Sequence, residues 1–421
     1  MTFNTMNEAN AAVVQRLKEA RPCWTDVRPA EEVIPEITQG RTLLHAGPPI
    51  SWERMTGPMQ GAVLGAAILE GWAADEEEAK KLAASGGIRF IPCHDVRAVG
   101  PMGGITSRSM PVIVMKNKVH GNVSFCNLNE GIGKVMRFGA YDEEVLERHR
   151  WMIKTLGPVL SAGLRTLEDG LDVTSIMAQA ITMGDEFHQR NIAASTLLLR
   201  SLAVAILKSG RPLNECEEVL DFLARTDQFF LNVTMAYCKN VMDAGAQVGE
   251  GTIVTAMTRN GVDFGIRVSG LGNRWFTAPV NTPVGLFFTG YTQEDANPDI
   301  GDSAITETYG VGGTSMVAAP GVTRFVGAGG FADALRVSDE MQEVYVDSNP
   351  LLLIPGWDFQ GSPMGLDIRR VVDTGITPLI NTGIAHRKAG VGQVGAGTVR
   401  APLECFIKAF EAMAEKLQLE A

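Results

Sequence analysis

Helical and strand-like spacings of apolar residues alternate in the first third of the chain. Three helices are predicted where apolar positions recur every three or four residues, at 8–20, 58–73 and 75–84. Three strands are predicted from short apolar runs, at 88–92, 110–116 and 122–126. His120 and Gly121 supply a turn between the last two strands. Residues 1–141 are therefore predicted to form an N-terminal α/β domain.

The helical spacing continues alone over residues 142–245. Val145, Leu146, His149 and Met152 are typical of it, because they return to one face of a helix every three or four positions. Glycine and proline interrupt the stretch at 157–158, 170, 184 and 210–212. These breaks predict a helical domain of four or five helices.

Strand signals return after residue 245. β-rich runs at 252–257 and 262–268 lie on either side of Asn260-Gly261, a pair that favours a two-residue hairpin. Further elements are predicted as a helix at 333–345, strands at 351–354 and 371–380, and a closing helix at 401–417. Residues 246–421 are thus predicted as a C-terminal α+β domain. The predicted fold class is α+β and multi-domain, with two α/β pieces and a helical domain between them.

Length and charge narrow the possible partners. A chain of 421 residues exceeds the usual size of one hydrophobic core, which agrees with several domains. The net charge of −11 and a pI near 5.2 repel phosphate backbones and anionic lipids, so we expect neither nucleic acid nor membrane as a partner. A small anionic substrate then requires a local group of arginines or backbone N–H groups.

Cysteine usage and the N-terminus indicate the compartment. The six cysteines show no CxxC spacing, which favours a reducing compartment over a disulfide framework or zinc ribbon. The N-terminus lacks the pattern of a signal peptide, and the longest apolar run, at 61–72, is too short to cross a bilayer. We expect a cytoplasmic protein.

Polar residues and glycines follow the strand predicted at 88–92. Cys93 and His94 come directly after it, and a glycine-rich turn then supplies Gly103, Gly104, Ser107 and Arg108. Glycines let backbone N–H groups approach a ligand, and Ser107 with Arg108 could complete an anion site. The spacing matches no nucleotide-binding motif. The alternative is a tight turn with a buried Cys-His pair, and a nucleophilic Cys93 is disfavoured because neighbours on a strand point to opposite faces.

A second polar group ends the following strand. Asn127, Asn129 and Glu130 supply two amides and a carboxylate that could orient a small polar ligand. Helix capping is the more common use of asparagine and remains the alternative.

Charged residues concentrate at a break in the helical region. Asp185, Glu186, His188 and Arg190 lie together, and Asp185 and His188 are three positions apart, which would put them on one helical face. This spacing fits a proton-transfer pair or half of a metal site. The alternative is a helix cap with a solvated face.

Arginines and carboxylates surround the hairpin predicted at residues 260–261. Arg259, Asn260, Asp263 and Arg267 are candidates for binding a carboxylate or phosphate, since a guanidinium holds such groups with two parallel hydrogen bonds. His386 adds a further candidate. Ordinary polar surface at a hairpin tip is the alternative.

The most unusual stretch is acidic. Asp302 and Glu307 fit a helix start, but capping does not explain Asp295, Asn297 and Asp299 as well. Such oxygens can bind a divalent cation such as Mg²⁺ or hold the NH₂ of an amide substrate.

Long motifs resemble the YlbE-like family, also called AllG. They are IPCHDVRAVGPMGGITSRSMPV, NLNEGIGKVMRFGAYDEEVLERHRWM, GDEFHQRNIAAS, TIVTAMTRNGVDFGIRVSGLG, EDANPDIGDSAITET and INTGIAHRKAGVGQVGAG. The resemblance implies a three-part fold and a subunit of oxamate carbamoyltransferase, which takes oxalurate and phosphate to oxamate and carbamoyl phosphate. It also implies two partners, an FdrA-type subunit similar to acyl-CoA synthetases and a further small subunit. The Ser-Thr-Arg-Thr phosphate loop of aspartate and ornithine carbamoyltransferases is absent.

The leading functional hypothesis is therefore a carbamoyltransferase subunit that also forms a homo-oligomer. We expect His94, His188, Arg259 and Asp302 to take part in the chemistry, and the other candidates named above to line one cleft between domains. No cofactor is expected, although a divalent cation such as Mg²⁺ is compatible. The alternatives are a non-catalytic scaffold or ligand-binding subunit and a metal-dependent amidohydrolase.

Overall fold

A five-stranded sheet organises the N-terminal region. The computed structural model describes residues 3, 5–327 and 329–420. The elements up to residue 127 are α1 Met6–Glu19, β1 Pro22–Pro29, α2 Ala30–Val33, β2 Thr42–His45, α3 Gly57–Leu69, α4 Glu76–Ala84, β3 Arg89–Pro92, β4 Ala98–Val99, β5 Pro111–Asn117 and β6 Val123–Asn127. The strand order is β4-β6-β5-β1-β7, where β7 is Leu171–Asp172, and β2 and β3 form a separate parallel pair.

Helices fill the next hundred residues. They are α5 Glu143–Trp151, α6 Gly157–Leu164, α7 Val173–Thr182, α8 Ile192–Leu207, α9 Leu213–Arg225 and α10 Phe230–Ala246. A π-helical turn at Met152–Leu156 joins α5 to α6. Asp142 caps α5 by accepting from the N–H of Val145, and Asp172 caps α7 in the same way through Ser175.

The C-terminal region contains three further sheets. Its elements are β8 Val254–Asn260, β9 Asp263–Val268, β10 Phe276–Pro279, β11 Val284–Phe287, β12 Ile300–Gly301, α11 Ile305–Tyr309, α12 Pro320–Phe325, α13 Phe331–Gln342, β13 Tyr345–Ile354, β14 Gln360–Leu366, α14 Ile368–Thr374, β15 Leu379–Ala385, β16 Gln393–Arg400 and α15 Leu403–Glu420. The sheets are ordered β10-β9-β8-β12, β11-β16-β15 and β13-β14. The α+β, multi-domain fold class is confirmed.

Helix α10 lies at the centre of the molecule. Nearly all of its side chains are buried, which is typical of a helix packed on every side. Asn240 donates to the carbonyl oxygens of Met115 (3.0 Å) and Asn122 (3.2 Å). These bonds attach α10 to the β5–β6 hairpin. Because α10 also contacts α1, α11 and β8, one core joins all three regions, and the predicted divisions at 141 and 245 stay predictions.

One predicted strand is wrong. The stretch predicted as a strand at 371–380 begins with helix α14, and β15 starts only at Leu379. Asp367 caps the helix through the N–H of Arg369, and Gly375 ends it at a φ of +73°. These two caps outweigh the strand preference of Val371 and Val372.

Two glycines that end helices make a matched stability test. A Cβ on Gly310, after α11, would lie 1.6 Å from the carbonyl oxygen of Pro363 in β14, whereas a Cβ on Gly375 would meet no atom within 4 Å. Both glycines have positive φ, so alanine carries strain of about 1–2 kcal/mol at either position. We expect Gly310→Ala to lower the urea midpoint of unfolding clearly further than Gly375→Ala. Equal midpoints would contradict the close packing of α11 on β14.

Candidate functional site

Three buried carboxylates follow one another on the segment from Asp299 to Glu307. Asp299, Asp302 and Glu307 are each at most 2% exposed. Each one binds a different part of the fold. A buried carboxylate is tolerated only when hydrogen bonds or an opposite charge replace its water, so the partners of these three side chains define the local structure.

Asp302 joins the N-terminal and C-terminal regions. Its Oδ1 accepts from the N–H of Gly47 (3.0 Å) and from the hydroxyl of Thr258, and its Oδ2 accepts from the N–H of Gly100 (2.9 Å). Burial raises the pKa of Asp302 to about 6, against the lowering effect of these hydrogen bonds.

His94 and Cys93 lie beside Asp302 but are closed off. The Nε2 of His94 is 3.7 Å from Oδ1 of Asp302, beyond a hydrogen bond, and neither ring nitrogen has a hydrogen-bond partner among the described residues. Burial lowers the pKa of His94 well below its usual value. Burial, followed by the charge of Asp302, raises the pKa of the Cys93 thiol, so the thiolate needed for attack is disfavoured.

Arg259 is neutralised inside the protein. Its Nε and Nη2 donate to the two oxygens of Asp299 at 2.6 and 3.1 Å. The remaining contacts are to Gly301 O (2.8 Å), Ser303 Oγ (3.3 Å) and Thr382 Oγ1 (3.2 Å). Every nitrogen of this fully buried guanidinium therefore has a protein acceptor.

His188 and Glu307 form a buried pair between the helical and C-terminal regions. The Nδ1 of His188 lies 2.8 and 3.0 Å from the two oxygens of Glu307. Glu307 also accepts from the N–H groups of Gly313 (2.8 Å) and Asn381 (3.2 Å). Because a carboxylate only accepts, it fixes a proton on Nδ1 and leaves Nε2 as the reactive nitrogen.

The turn that carries His188 is held by Glu186. Its Oε1 accepts from the backbone N–H groups of His188 (3.1 Å) and Arg190 (2.6 Å), and its Oε2 accepts from the amide of Asn381 (2.9 Å). Burial raises the pKa of Glu186. Phe187 has a left-handed φ of +72°, a strained value that such a turn imposes. Asp185 pairs with Arg190 at 3.3 Å and accepts from the N–H of Ala194.

Arg137 is a functional candidate that the sequence analysis missed. It lies in the 3₁₀ turn Met136–Phe138 and is 6% exposed. Its Nη1 donates to Oδ1 of Asn129 at 2.9 Å. Burial lowers the pKa of Arg137 to about 10, which leaves the guanidinium charged at neutral pH. An arginine within the apolar run from Val135 to Phe138 is the signal that could have revealed it.

Glu130 compensates the charge of Arg137 without contacting its guanidinium. The carboxylate accepts from the backbone N–H groups of Met136 (2.8 Å) and Arg137 (2.7 Å) and from Nε2 of His149 (2.8 Å). Burial alone would raise the pKa of Glu130, but His149 and then Arg137 hold it at about 2.

A small cavity lies where the three regions meet, and we call it the junction cavity. Its lining is Pro101, Met102, Arg137, Phe138, His188, Gln189, Gln228, Leu231, Ser303, Gly383 and Gln393. The cavity volume of about 20 Å³ suits one water molecule. Met102, like Phe187 beside His188, has a positive φ, so two strained residues flank this cavity.

The predicted site residues divide between two clusters and the surface. Cys93, His94, Asp302, Arg259 and Asp299 form one cluster, and Gly104 packs against it. Glu186, His188 and Glu307 form the other. His188 shares the junction cavity with Arg137, and Arg137 in turn is hydrogen-bonded to Asn129, Glu130 and Gly103. Asn127 binds Asn232 of α10 beside this second cluster.

The remaining candidates pair mainly with residues outside both clusters, although Arg267 also donates to the carbonyl oxygen of His94 at 3.4 Å. Arg108 pairs with Glu31 at the surface (2.6 Å) and Asp263 with Arg54 (2.9 Å). Arg267 pairs with Asp95 and stacks on Trp275, while Asn260 donates to Pro48 O. Asn297 donates to its neighbour Pro298, His386 lies 3.5 Å from Asp295, and the Ser107 hydroxyl is buried without a partner among the described residues. These residues do not converge on one cleft.

The described residues hold neither a cluster of metal ligands nor a membrane-spanning helix. Among the described residues, no group of three or more His, Cys, Asp or Glu side chains is arranged to hold a metal ion. The metal-dependent amidohydrolase alternative therefore has no ligand set in that part of the chain. Within the same ranges, no helix combines the length and the apolar character that crossing a membrane requires.

The fold and this junction define a multi-domain α+β protein with a small polar cavity between its parts. A family model described as "Oxamate carbamoyltransferase subunit AllG" matches residues 88–303. A protein of Escherichia coli K12 named "Oxamate carbamoyltransferase subunit AllG" is 65% identical over 415 residues, 99% of each chain. The chain therefore belongs to the AllG family, as the sequence motifs predicted.

Two further proteins are similar over nearly the whole chain, and one of them has a solved structure. "Uncharacterized protein YahG" of Escherichia coli K12 is 45% identical over 408 residues, which are 97% of this chain and 86% of that one. The crystal structure of a conserved protein of unknown function from Enterococcus faecalis V583 has a TM-score of 0.95 and 46% identity, and the match covers 97% of this chain and 98% of that one.

The pKa of Asp302 generates a stability prediction. Its folded value of about 6 exceeds the value of about 3.9 in an unfolded chain, so the folded protein holds this proton more tightly. The resulting stabilisation is complete below about pH 4 and is lost as the pH rises to about 6. Over this range the free energy of unfolding falls by at most roughly 3 kcal/mol. We expect the melting temperature of the wild type, relative to Asp302→Asn, to fall over this range. Asp373→Asn, at an exposed position, is the control. If the difference in melting temperature between the wild type and Asp302→Asn does not change with pH, the raised pKa is contradicted.

Proposed function

We propose that this chain is a subunit of a carbamoyltransferase complex that interconverts oxalurate plus phosphate with oxamate plus carbamoyl phosphate. The observation that carries the proposal is the 65% identity, over 99% of both chains, to the protein named as the oxamate carbamoyltransferase subunit AllG. The similarity extends over nearly the whole length of both chains. The reaction of the named relative is therefore the first to test.

The reaction sets clear chemical demands. A phosphate oxygen attacks the ureido carbonyl carbon of oxalurate, the bond from that carbon to the oxamate nitrogen breaks, and the bonding electron pair stays on nitrogen. The nitrogen gains a proton, while hydrogen phosphate loses one. A single proton-transfer group between the two reactants can serve both steps.

His188 is the one among the four predicted catalytic residues that lines the junction cavity. Its Nδ1 is bound to Glu307, so its Nε2 is the ring nitrogen able to exchange a proton with a ligand. The Glu307 carboxylate would stabilise the imidazolium that forms in between. In contrast, His94 and Asp302 are enclosed, and Arg259 is neutralised by Asp299. The contacts of these three residues favour a role in supporting the fold.

Partners are part of the proposal. An FdrA-type subunit similar to acyl-CoA synthetases and a further small subunit would complete the complex, and the chain would also associate with itself. The small volume of the junction cavity agrees with a site that opens when a partner binds. The complex would act in the cytoplasm, which is supported by six cysteines that are all free. It would need no cofactor beyond an optional divalent cation.

The assay is carbamoyl phosphate formation from oxalurate and phosphate, by this chain alone and mixed with its two partners. We expect turnover in the mixture. Turnover by the chain alone would put the complete site within it. Failure of the mixture, with each component shown to be folded and assembled, would contradict the proposed reaction. Turnover that survives loss of His188 would favour a scaffold role for the chain.

The variant His188→Gln tests the proton-transfer role in the assembled complex. We expect kcat to fall by about 10²–10⁴-fold, the usual contribution of general acid–base catalysis, with a smaller change in KM. His120→Gln, the same substitution on the hairpin between β5 and β6, should leave both constants unchanged. Equal kinetics for the two variants would rule out His188 as the proton-transfer group.

A further inference from the structure

The backbone of Arg137 is fixed before its side chain reaches any ligand. Its carbonyl oxygen accepts from the N–H of Gly103 at 3.0 Å, and its own N–H donates to Glu130 at 2.7 Å. Gly139, with a φ of +87°, packs directly against Pro58 and ends the turn. The guanidinium is thus carried on a rigid support, as a binding group requires.

The guanidinium of Arg137 has N–H donors that no protein acceptor binds among the described residues. An arginine offers five N–H donors, but one side-chain hydrogen bond from Arg137, the one to Asn129, is present among the described residues. The oxygens of Glu130, the nearest compensating carboxylate, are occupied by two backbone N–H groups and His149. Nε and Nη2 of Arg137 are therefore without a protein acceptor in that part of the chain.

Arg259 is the contrasting case within the same protein. It is fully buried, whereas Arg137 is 6% exposed, and a carboxylate, a carbonyl and two hydroxyls fill all its nitrogens. Arginines that stabilise a fold are expected to be filled in this way, because a buried donor without an acceptor is costly. Nε and Nη2 of Arg137 are not among the fully buried unpaired atoms, so they stay within reach of an external anion that can act as the missing acceptor.

Gln393 and His188 add a second kind of group to the junction cavity. Gln393 lines it, and its Nε2 donates to the carbonyl of Gly395 at 3.1 Å. This bond identifies the other terminal atom as Oε1, which is buried without a donor among the described residues. The residues that line the cavity therefore include a cation, a glutamine whose amide oxygen is buried without a donor, and His188, whose Nε2 is not bound to Glu307.

We propose that Arg137 anchors the carboxylate of a small amide or ureido acid in the junction cavity, with Gln393 accepting from the amide N–H and His188 beside the nitrogen that gains or loses a proton. The inference rests on the proposed carbamoyl transfer and names the group that holds the acid. A planar carboxylate suits the guanidinium fork, which can form two parallel hydrogen bonds to it. A phosphate is tetrahedral and offers no amide N–H to the acceptor of Gln393.

Access to the cavity requires side-chain movement. The cavity volume of about 20 Å³ is smaller than such an acid. Gln189 and Gln228 lie in the wall, and the side-chain amide of Gln189 has no hydrogen bond among the described residues. Because glutamine has three rotatable side-chain bonds, both side chains can move aside, although the hydrogen bond from Nε2 of Gln228 to the carbonyl oxygen of Gln189 (3.2 Å) must then break.

The primary test is calorimetric titration of oxamate into the assembled complex. We expect Arg137→Lys, which keeps the charge but loses the fork, to weaken oxamate binding at least about tenfold and to raise KM for oxalurate more than it lowers kcat. Arg148→Lys is the matched control, since Arg148 on α5 acts electrostatically on Arg137 but does not line the cavity. Unchanged oxamate affinity in Arg137→Lys would overturn the proposal. So would a larger loss for inorganic phosphate than for oxamate.

A wild-type crystal structure with oxamate does not depend on any variant being folded. The carboxylate is expected within hydrogen-bond distance of Nε or Nη2 of Arg137, and a carboxylate bound elsewhere, or an empty cavity at saturating oxamate, would contradict the anchor. The two proposals fail separately. If Arg137→Lys turns over with a normal KM, the anchor is wrong and the reaction stands, whereas Arg137-dependent oxamate binding without turnover would refute the reaction alone.

Discussion

The need to neutralise three buried carboxylates on one short segment determines how the regions of this protein fit together. Asp302 takes N–H groups from two N-terminal loops, Asp299 takes the guanidinium of Arg259, and Glu307 takes the imidazole of His188. A buried charge that loses its partner costs several kcal/mol. Losing any of these contacts would therefore be costly. The segment from 299 to 307, which we call the seam, holds together regions that are far apart in sequence.

The seam separates fold-supporting charges from groups able to bind a ligand. On one side, Arg259 and Asp302 are filled by protein partners, and His94 is enclosed beside them. On the other side, Glu307 orients His188 toward a cavity that Arg137 also lines. A buried carboxylate thus has a structural role in one cluster and orients a side chain in the other. The difference is that all nitrogens of Arg259 have protein acceptors, whereas His188 keeps Nε2 unbound by Glu307.

Sequence patterns captured what local chemistry controls. The Asn260-Gly261 hairpin and the helical stretch from 142 to 245 follow from turn preference and apolar spacing, and the acidic segment stood out because capping could not account for all its carboxylates. Strand β1, bounded by prolines, and helix α14, decided by its caps, were not identified. Arg259 was predicted as a site residue and Arg137 was not, because a sequence does not reveal which N–H donors lack a protein acceptor. The acceptor for Arg259 lies 40 positions away in Asp299.

The seam also bears on when the protein becomes competent during synthesis. Gly47 and Gly100 lie 255 and 202 positions before the carboxylate that holds them, and Asn381, which completes the shell of Glu307, lies 74 positions after it. Contacts so distant in sequence form late, because the loops between them must close first. A nascent or truncated chain that ends before β15 leaves Glu307 short of a donor and the junction unassembled. The ligand binding proposed for the junction would in this way be reserved for the finished chain, and an incomplete product would expose its unpaired acids to the cell's quality control.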